Sequence, residues 1–279
     1  MLYQWIRVIK SNNGVLTDLS LDNQDESSQL LLDLDTSDYL YIGQHFPFNN
    51  FFIQIDTAND EAAVMSIEYW AQQDWKTALD VLDGTTSSGK TFARSGVVQF
   101  SPNSQYRWDK TADSTQGSFP TELEILNIYS MYWLRIKVNN ALNVLTKIQR
   151  VAYAFTSHQQ IDNLDTTINE YLTDFKAGKT TWEDEIVTAS ITLVGDLRLK
   201  GLVVGQGEIL RFDDVSMTCD WGTLKLIYRN LGGDYKEKLS EAKDEYNRLL
   251  SIGRFAHDKN SDGRLDDSEI KISQVEILR

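Results

Sequence analysis

The sequence predicts an α+β chain of two domains. Residues 1–156 form an antiparallel β-sandwich, jelly-roll-like, and residues 157–279 form a four-helix bundle that ends in an EF-hand-type calcium loop and a short strand. Three observations lead there. Short β-branched and aromatic runs separated by turn clusters fill the first half. Near Thr156 the apolar period changes to that of helices. An acidic run from Asp258 to Glu269 then carries calcium-loop spacing.

The expected strands are Leu30–Leu32, Phe51–Ile55, Val64–Trp70, Gly96–Phe100 and Tyr132–Val138, with one or two more between Val144 and Phe155. Asn12-Asn13-Gly14, Asp83-Gly84 and Ser101-Pro102-Asn103 supply turns. Many short strands without an intervening helical pattern imply sheet packed on sheet. Trp70, Trp75, Trp108 and Trp133 then read as sandwich core before they read as a platform for ligands.

Beyond Thr156, Ile161, Leu164, Ile168, Leu172 and Phe175 make one stripe, ending at Gly178. Thr181 with Asp184 suggests a capping box for a second helix striped by Trp182, Ile186, Ala189, Leu193 and Leu197. A third helix is expected from Asp213 to Leu231 before Gly232-Gly233, and a fourth carries Tyr235, Leu239, Ala242, Tyr246 and Leu249. Short loops between such helices make a bundle. The apolar stretch Leu202–Leu210 is too long for a simple turn and reads as an excursion packing on a neighbouring molecule.

The candidate metal site is Asp258, Asn260, Asp262, Arg264, Asp266 and Glu269, with Gly263 at the sharp turn. A hard cation needs six to eight oxygens at about 2.3–2.6 Å, and the twelve-residue spacing wraps them round one point. Arg264 stands at the position that offers only its backbone carbonyl. Glu269 is the bidentate ligand. A second such loop is absent from the sequence, and Ile270, Ile272, Val275 and Ile277 suggest a strand where a sensor would have a helix. That pattern predicts calcium as a structural staple and not as a switch.

Net charge is −14, from 27 basic and 41 acidic residues. It divides evenly: 11 basic against 18 acidic residues up to Thr156, and 16 against 23 after it, −7 in each part. A surface of that sign does not grip phosphate, which argues against nonspecific nucleic-acid binding. One cysteine, Cys219, excludes an internal disulfide framework. No signal peptide and no apolar run of membrane-spanning length stand out, so a soluble protein made in the cytoplasm is expected.

Two motifs invite a catalytic reading. Gly84-Thr-Thr-Ser-Ser-Gly89-Lys90-Thr91 has the letters of a phosphate-binding loop. That chemistry needs a helix whose N-terminus meets the phosphates, yet Thr91–Gly96 leads into another strand. A hairpin loop explains the same letters. His45, His158 and His257 share no zinc or triad spacing with Cys219 or with a carboxylate. No enzyme is expected.

The helical half resembles the head-to-tail adaptor (connector) proteins of tailed bacteriophages. The resemblance rests on Trp182–Ser190, Glu208–Asp214, Leu224–Leu231, Tyr235–Tyr246 and the acidic loop before a terminal strand. The first half resembles a sandwich domain of phage virion proteins in Tyr41–Asn49, Ile67–Trp70, Asp83–Thr85 and Tyr132–Ile136. The resemblance implies a virion protein of the neck or tail, made in the host cytoplasm. It implies a dodecameric ring of copies of this chain, docked on the portal protein, with tail or neck proteins below. DNA would pass through without specific binding, and no membrane is involved. A different class remains beside it: a receptor- or carbohydrate-binding tail-fibre module stabilised by calcium. Rings stacked on a shallow face would favour that alternative, and buried rings a structural role.

Overall fold

The computed structural model describes residues 6–25, 28–103, 105–111, 119–211, 213–252, 256, 258 and 269. These residues belong to two compact units, one covering 6–152 and the other 153–258 together with 269. The first is built of two antiparallel sheets and the second is helical.

The strands of the first unit are β1 (Arg7–Asn12), β2 (Val15–Asp18), β3 (Leu30–Leu31), β4 (Tyr39–Gln44), β5 (Asn50–Thr57), β6 (Met65–Ala71), β7 (Asp74–Thr77), β8 (Leu79–Asp83), β9 (Gly96–Ser101), β10 (Tyr132–Val138) and β11 (Lys147–Ala152). Six form one sheet in the order β2-β1-β4-β10-β6-β7, and five form another in the order β3-β11-β5-β9-β8. Asn13 and Gly14, both at positive φ, close the β1–β2 hairpin, the geometry that matches strand twist. Gln72 and Gln73 do the same between β6 and β7 without glycine.

Five strands escaped the sequence pattern for two reasons. β2, β7 and β8 are only four or five residues long and largely exposed, too short to show a period. β1 and β4 are buried on both faces over much of their length, which removes the alternation. Val144 and Leu145, expected in a strand, are exposed in the turn before β11.

Trp108 joins the sheets. Its ring lies 5.9 Å from Phe100 of β9, 5.4 Å from Tyr69 of β6 and 6.1 Å from Tyr132 of β10. The opposite face of the six-stranded sheet is covered as well. There Ile9, Tyr41, Trp70 and Trp133 pack with Phe119, Leu123 and Met131, which come from the segment preceding β10. Arg135 lies over Tyr39 and Trp75 on the same face, paired with Glu68 at 2.6 Å.

The helical unit contains α1 (His158–Leu164), α2 (Leu172–Phe175), α3 (Glu183–Leu199), α4 (Asp213–Leu231) and α5 (Lys236–Ile252). The stripe from Ile161 to Phe175 is therefore not one helix. Asp165 is extended, and its carboxylate accepts the Thr167 N–H at 3.0 Å and the Thr167 hydroxyl at 2.6 Å. This local turn outcompetes helical continuation. The Thr181–Asp184 capping box is also not formed. Trp182 caps α3 without a side-chain bond, while Glu183, Asp184 and Glu185 meet the positive end of the helix. A capping box forms instead at α1, between Ser157 and Gln160. Among the described residues, three long helices and two short ones thus stand where four helices were expected. α4 packs against both α3 and α5, and Gly222 admits the Tyr246 ring: a Cβ there would lie 3.1 Å from it.

Of the stretch Leu202–Leu210, Val204 is exposed. Val203, Ile209 and Leu210 are buried within the chain itself. Among the described residues, no helix is long and apolar enough to cross a membrane.

Candidate functional site

The expected calcium loop follows α5. Of its six ligand positions, Asp258 and Glu269 lie among the described residues, and they are 1% and 5% exposed. Asn260, Asp262, Arg264 and Asp266 lie outside them. Carboxylates are kept this far from solvent by pairing, hydrogen bonds or a metal ion. The first and twelfth residues of the loop carry the oxygen donors that a calcium ion takes. Among the described residues, no group of three or more His, Cys, Asp or Glu side chains converges on a metal position.

The first residue of the loop is tied to the α3–α4 connection by a backbone hydrogen bond, and the residue two before it to a side chain in the first turn of α4. Asp258 N–H donates to the Glu208 carbonyl at 3.0 Å. Ala256 N–H donates to Asp214 Oδ2 at 3.1 Å. Glu208 is held in turn, its carboxylate accepting the Val204 N–H at 3.0 Å, and Arg211 pairs with Asp214 at 3.5 Å. The stretch Leu202–Leu210 thus supplies, at Glu208, the carbonyl that accepts from the first residue of the loop. No sequence signal carries that information, because the contact joins residues some fifty positions apart.

Two polar clusters lie among the helices. Asp165 accepts from Tyr228 at 2.6 Å and from Lys238 at 2.8 Å, and Lys238 also donates to Tyr171 at 2.9 Å. Burial alone would raise the Asp165 carboxyl, but the hydrogen bonds from Lys238, Thr167 and Tyr228 together lower it to about 2. The Lys238 amine lies over the Tyr171 and Tyr228 rings, 5.1 and 5.6 Å from their centres. In the second cluster, Ser190 Oγ accepts the Phe155 N–H at 3.0 Å and lies 3.2 Å from Cys219 Sγ. Burial pushes the Cys219 thiol up to about 12, which leaves it no nucleophile.

The loop with phosphate-binding letters connects β8 and β9, with no helix after it. Ser87 and Lys90 exchange backbone hydrogen bonds at 3.0 Å, with Ser88 and Gly89 at positive φ between them. Asp83 ties down Thr85 and Thr86 through its carboxylate, and the Lys90 amine donates to the Asp60 carbonyl at 2.5 Å. The loop's own backbone and side chains take up the groups that a phosphate would need.

The aromatics are mostly core. Trp70, Trp108 and Trp133 are buried, and half-buried Trp75 spends its N–H on Glu122 at 2.6 Å. His45 is exposed beside Ser130 and His158 is bonded to Asn169, far from any shared site. His257 lies outside the described residues.

No protein-family model matches the chain, and no curated protein matches it either. Among solved structures, the chain is similar to one described as "CpGH89CBM32-6 produced by Clostridium perfringens", at 11% identity and a TM-score of 0.27, over 54% of this chain and 93% of that one. A similarity of that size carries no inference about fold or activity.

Proposed function

We propose that this chain is a structural virion protein that forms a ring joining the portal of a tailed phage head to the tail or neck and lining the DNA conduit. In this reading residues 1–156 are a jelly-roll-like sandwich that projects from the ring, and residues 157–279 are the adaptor-like helical domain. The portal, tail or neck proteins and further copies of the chain are its partners. Calcium, held by Asp258, Asn260, Asp262, Asp266, Glu269 and the carbonyl of Arg264, staples the C-terminal end.

The observation that carries the reading is the succession of α3, α4 and α5 followed by an acidic loop whose first residue bonds back to the α3–α4 connection. The even negative charge agrees with it, because a conduit wall that repels phosphate lets DNA slide. Burial of Trp70, Trp108 and Trp133 favours this structural reading over a glycan-binding fibre module, which needs rings open to solvent.

Negative-stain imaging of the purified chain, alone and with portal, tests the proposal. Rings, or portals capped by added density, are expected. Monomers that leave portal bare, together with tight binding to host glycans, would replace the connector with the fibre module.

A further inference from the structure

The residues that lead into the helical unit are fastened to α3 and α4 by side chains. Phe155 N–H donates to Ser190 on α3, and the Thr156 hydroxyl donates to Asp220 on α4 in a very short hydrogen bond. Asp220 is 7% exposed. Among the described residues no cation pairs with it. The groups linked to it through its bonded and sequence neighbours are neutral: Thr156 bonds Gln160 of α1, and adjacent Cys219 meets Ser190 of α3 and accepts from Thr223.

The charged groups of the surrounding helices are engaged elsewhere. Asp196 of α3 accepts from Tyr246 of α5 at 2.6 Å, Lys225 lies over the Tyr246 ring, and Asp165 bonds Lys238 and Tyr228. Asp174 of α2 is exposed. A carboxylate ionised in this place would hold its charge with one hydroxyl to stabilise it, whereas a carboxylic acid is at ease there.

We infer that Asp220 is a pH-sensitive latch, which holds the segment Tyr153–Ser157 against α4 more tightly when its buried carboxyl is protonated than when it is ionised. Burial raises its carboxyl to about 6, against the opposing effect of the Thr156 hydrogen bond. The closed state binds the proton more tightly than the open one, so closing weakens as pH rises from the ordinary carboxylate range through 6 and then levels off. Residues 153–157 run from the end of β11 to the start of α1.

Hydrogen exchange in the full chain tests this at the Phe155 amide. Its protection factor should fall about tenfold between pH 5 and pH 8, the loss that follows from a carboxyl at about 6 when closed and near 4 when open. Asp220→Asn keeps an acceptor for Thr156 and removes the charge, so its protection should be independent of pH. Thr156→Val should lower protection at both pH values and steepen the pH dependence, since the hydroxyl that eases ionisation is gone. The latch is overturned if wild type and Asp220→Asn show the same pH response, or if Thr156→Val leaves Phe155 as protected as before.

Discussion

The Trp133 indole occupies the space where a side chain on Gly43, its cross-strand partner, would stand. A Cβ at Gly43 would lie 2.6 Å from Cζ3 of the ring. Trp133 is fully buried in the cluster covered by Phe119, Leu123 and Met131, so it has nowhere to retreat. Gly43→Ala should therefore destabilise the sheet unit by about 1–3 kcal/mol through overpacking. Urea unfolding followed by tryptophan fluorescence measures it, and a neutral result would mean that the cluster can slide.

Calcium should raise the melting temperature of the full chain, because an ion that binds only the folded state stabilises it by mass action. Glu269→Gln should remove most of the gain by deleting the bidentate ligand. Calorimetry with calcium and with a chelator decides. Identical melting in both would end the calcium proposal while leaving the ring proposal open to imaging.

Acid should unfold the helical unit partly through Asp165. Its carboxyl is lowered to about 2, so the stabilisation is present above the ordinary carboxylate value and lost as pH falls from about 4 toward 2. Lys238→Met should flatten that part of the acid transition, read by far-UV circular dichroism. An unchanged acid limb would place the sensitivity in other carboxylates.

Lys90→Ala should cost less than about 1 kcal/mol, since one exposed hydrogen bond to the Asp60 carbonyl is lost. Neither form should bind ATP in a calorimetric titration. Saturable binding by wild type that vanishes in the variant would restore the nucleotide reading of Gly84–Thr91.

A fragment starting at Tyr153 should fold as a helical unit and, on the connector proposal, cap portal by itself. One starting at Ser157 should melt lower, because it lacks buried Tyr153 and Phe155 and the Thr156 bond to Asp220. Equal melting temperatures would show that the lead-in adds nothing to the unit. Portal binding by a fragment of residues 1–152 would move assembly to the sheets.

What the sequence determined by itself is what neighbours in the chain can decide. The alternation of Tyr132–Val138 marks β10, Asn13-Gly14 closes a hairpin, and the bounds of α4 at Asp213 and Leu231 follow from acidic residues before the apolar stripe and Gly232 after it. The loop spacing from Asp258 to Glu269 is likewise local, and it names ligands without showing what the loop rests on. Only the tertiary structure decided the rest. The helical stripe from Ile161 to Phe175 breaks because Asp165 finds Thr167 and is then held by Tyr228 and Lys238, more than sixty residues away. The outer face of the six-stranded sheet became a core because the segment around Leu123 folds over it. Asp258 bonded to Glu208, and Asp220 was buried beside Thr156 with no cation among the described residues. Periodicity reports which face of an element is apolar. It carries no record of which distant group will arrive to cover that face, and burial, pairing and the ionisation of a carboxyl all depend on that arrival.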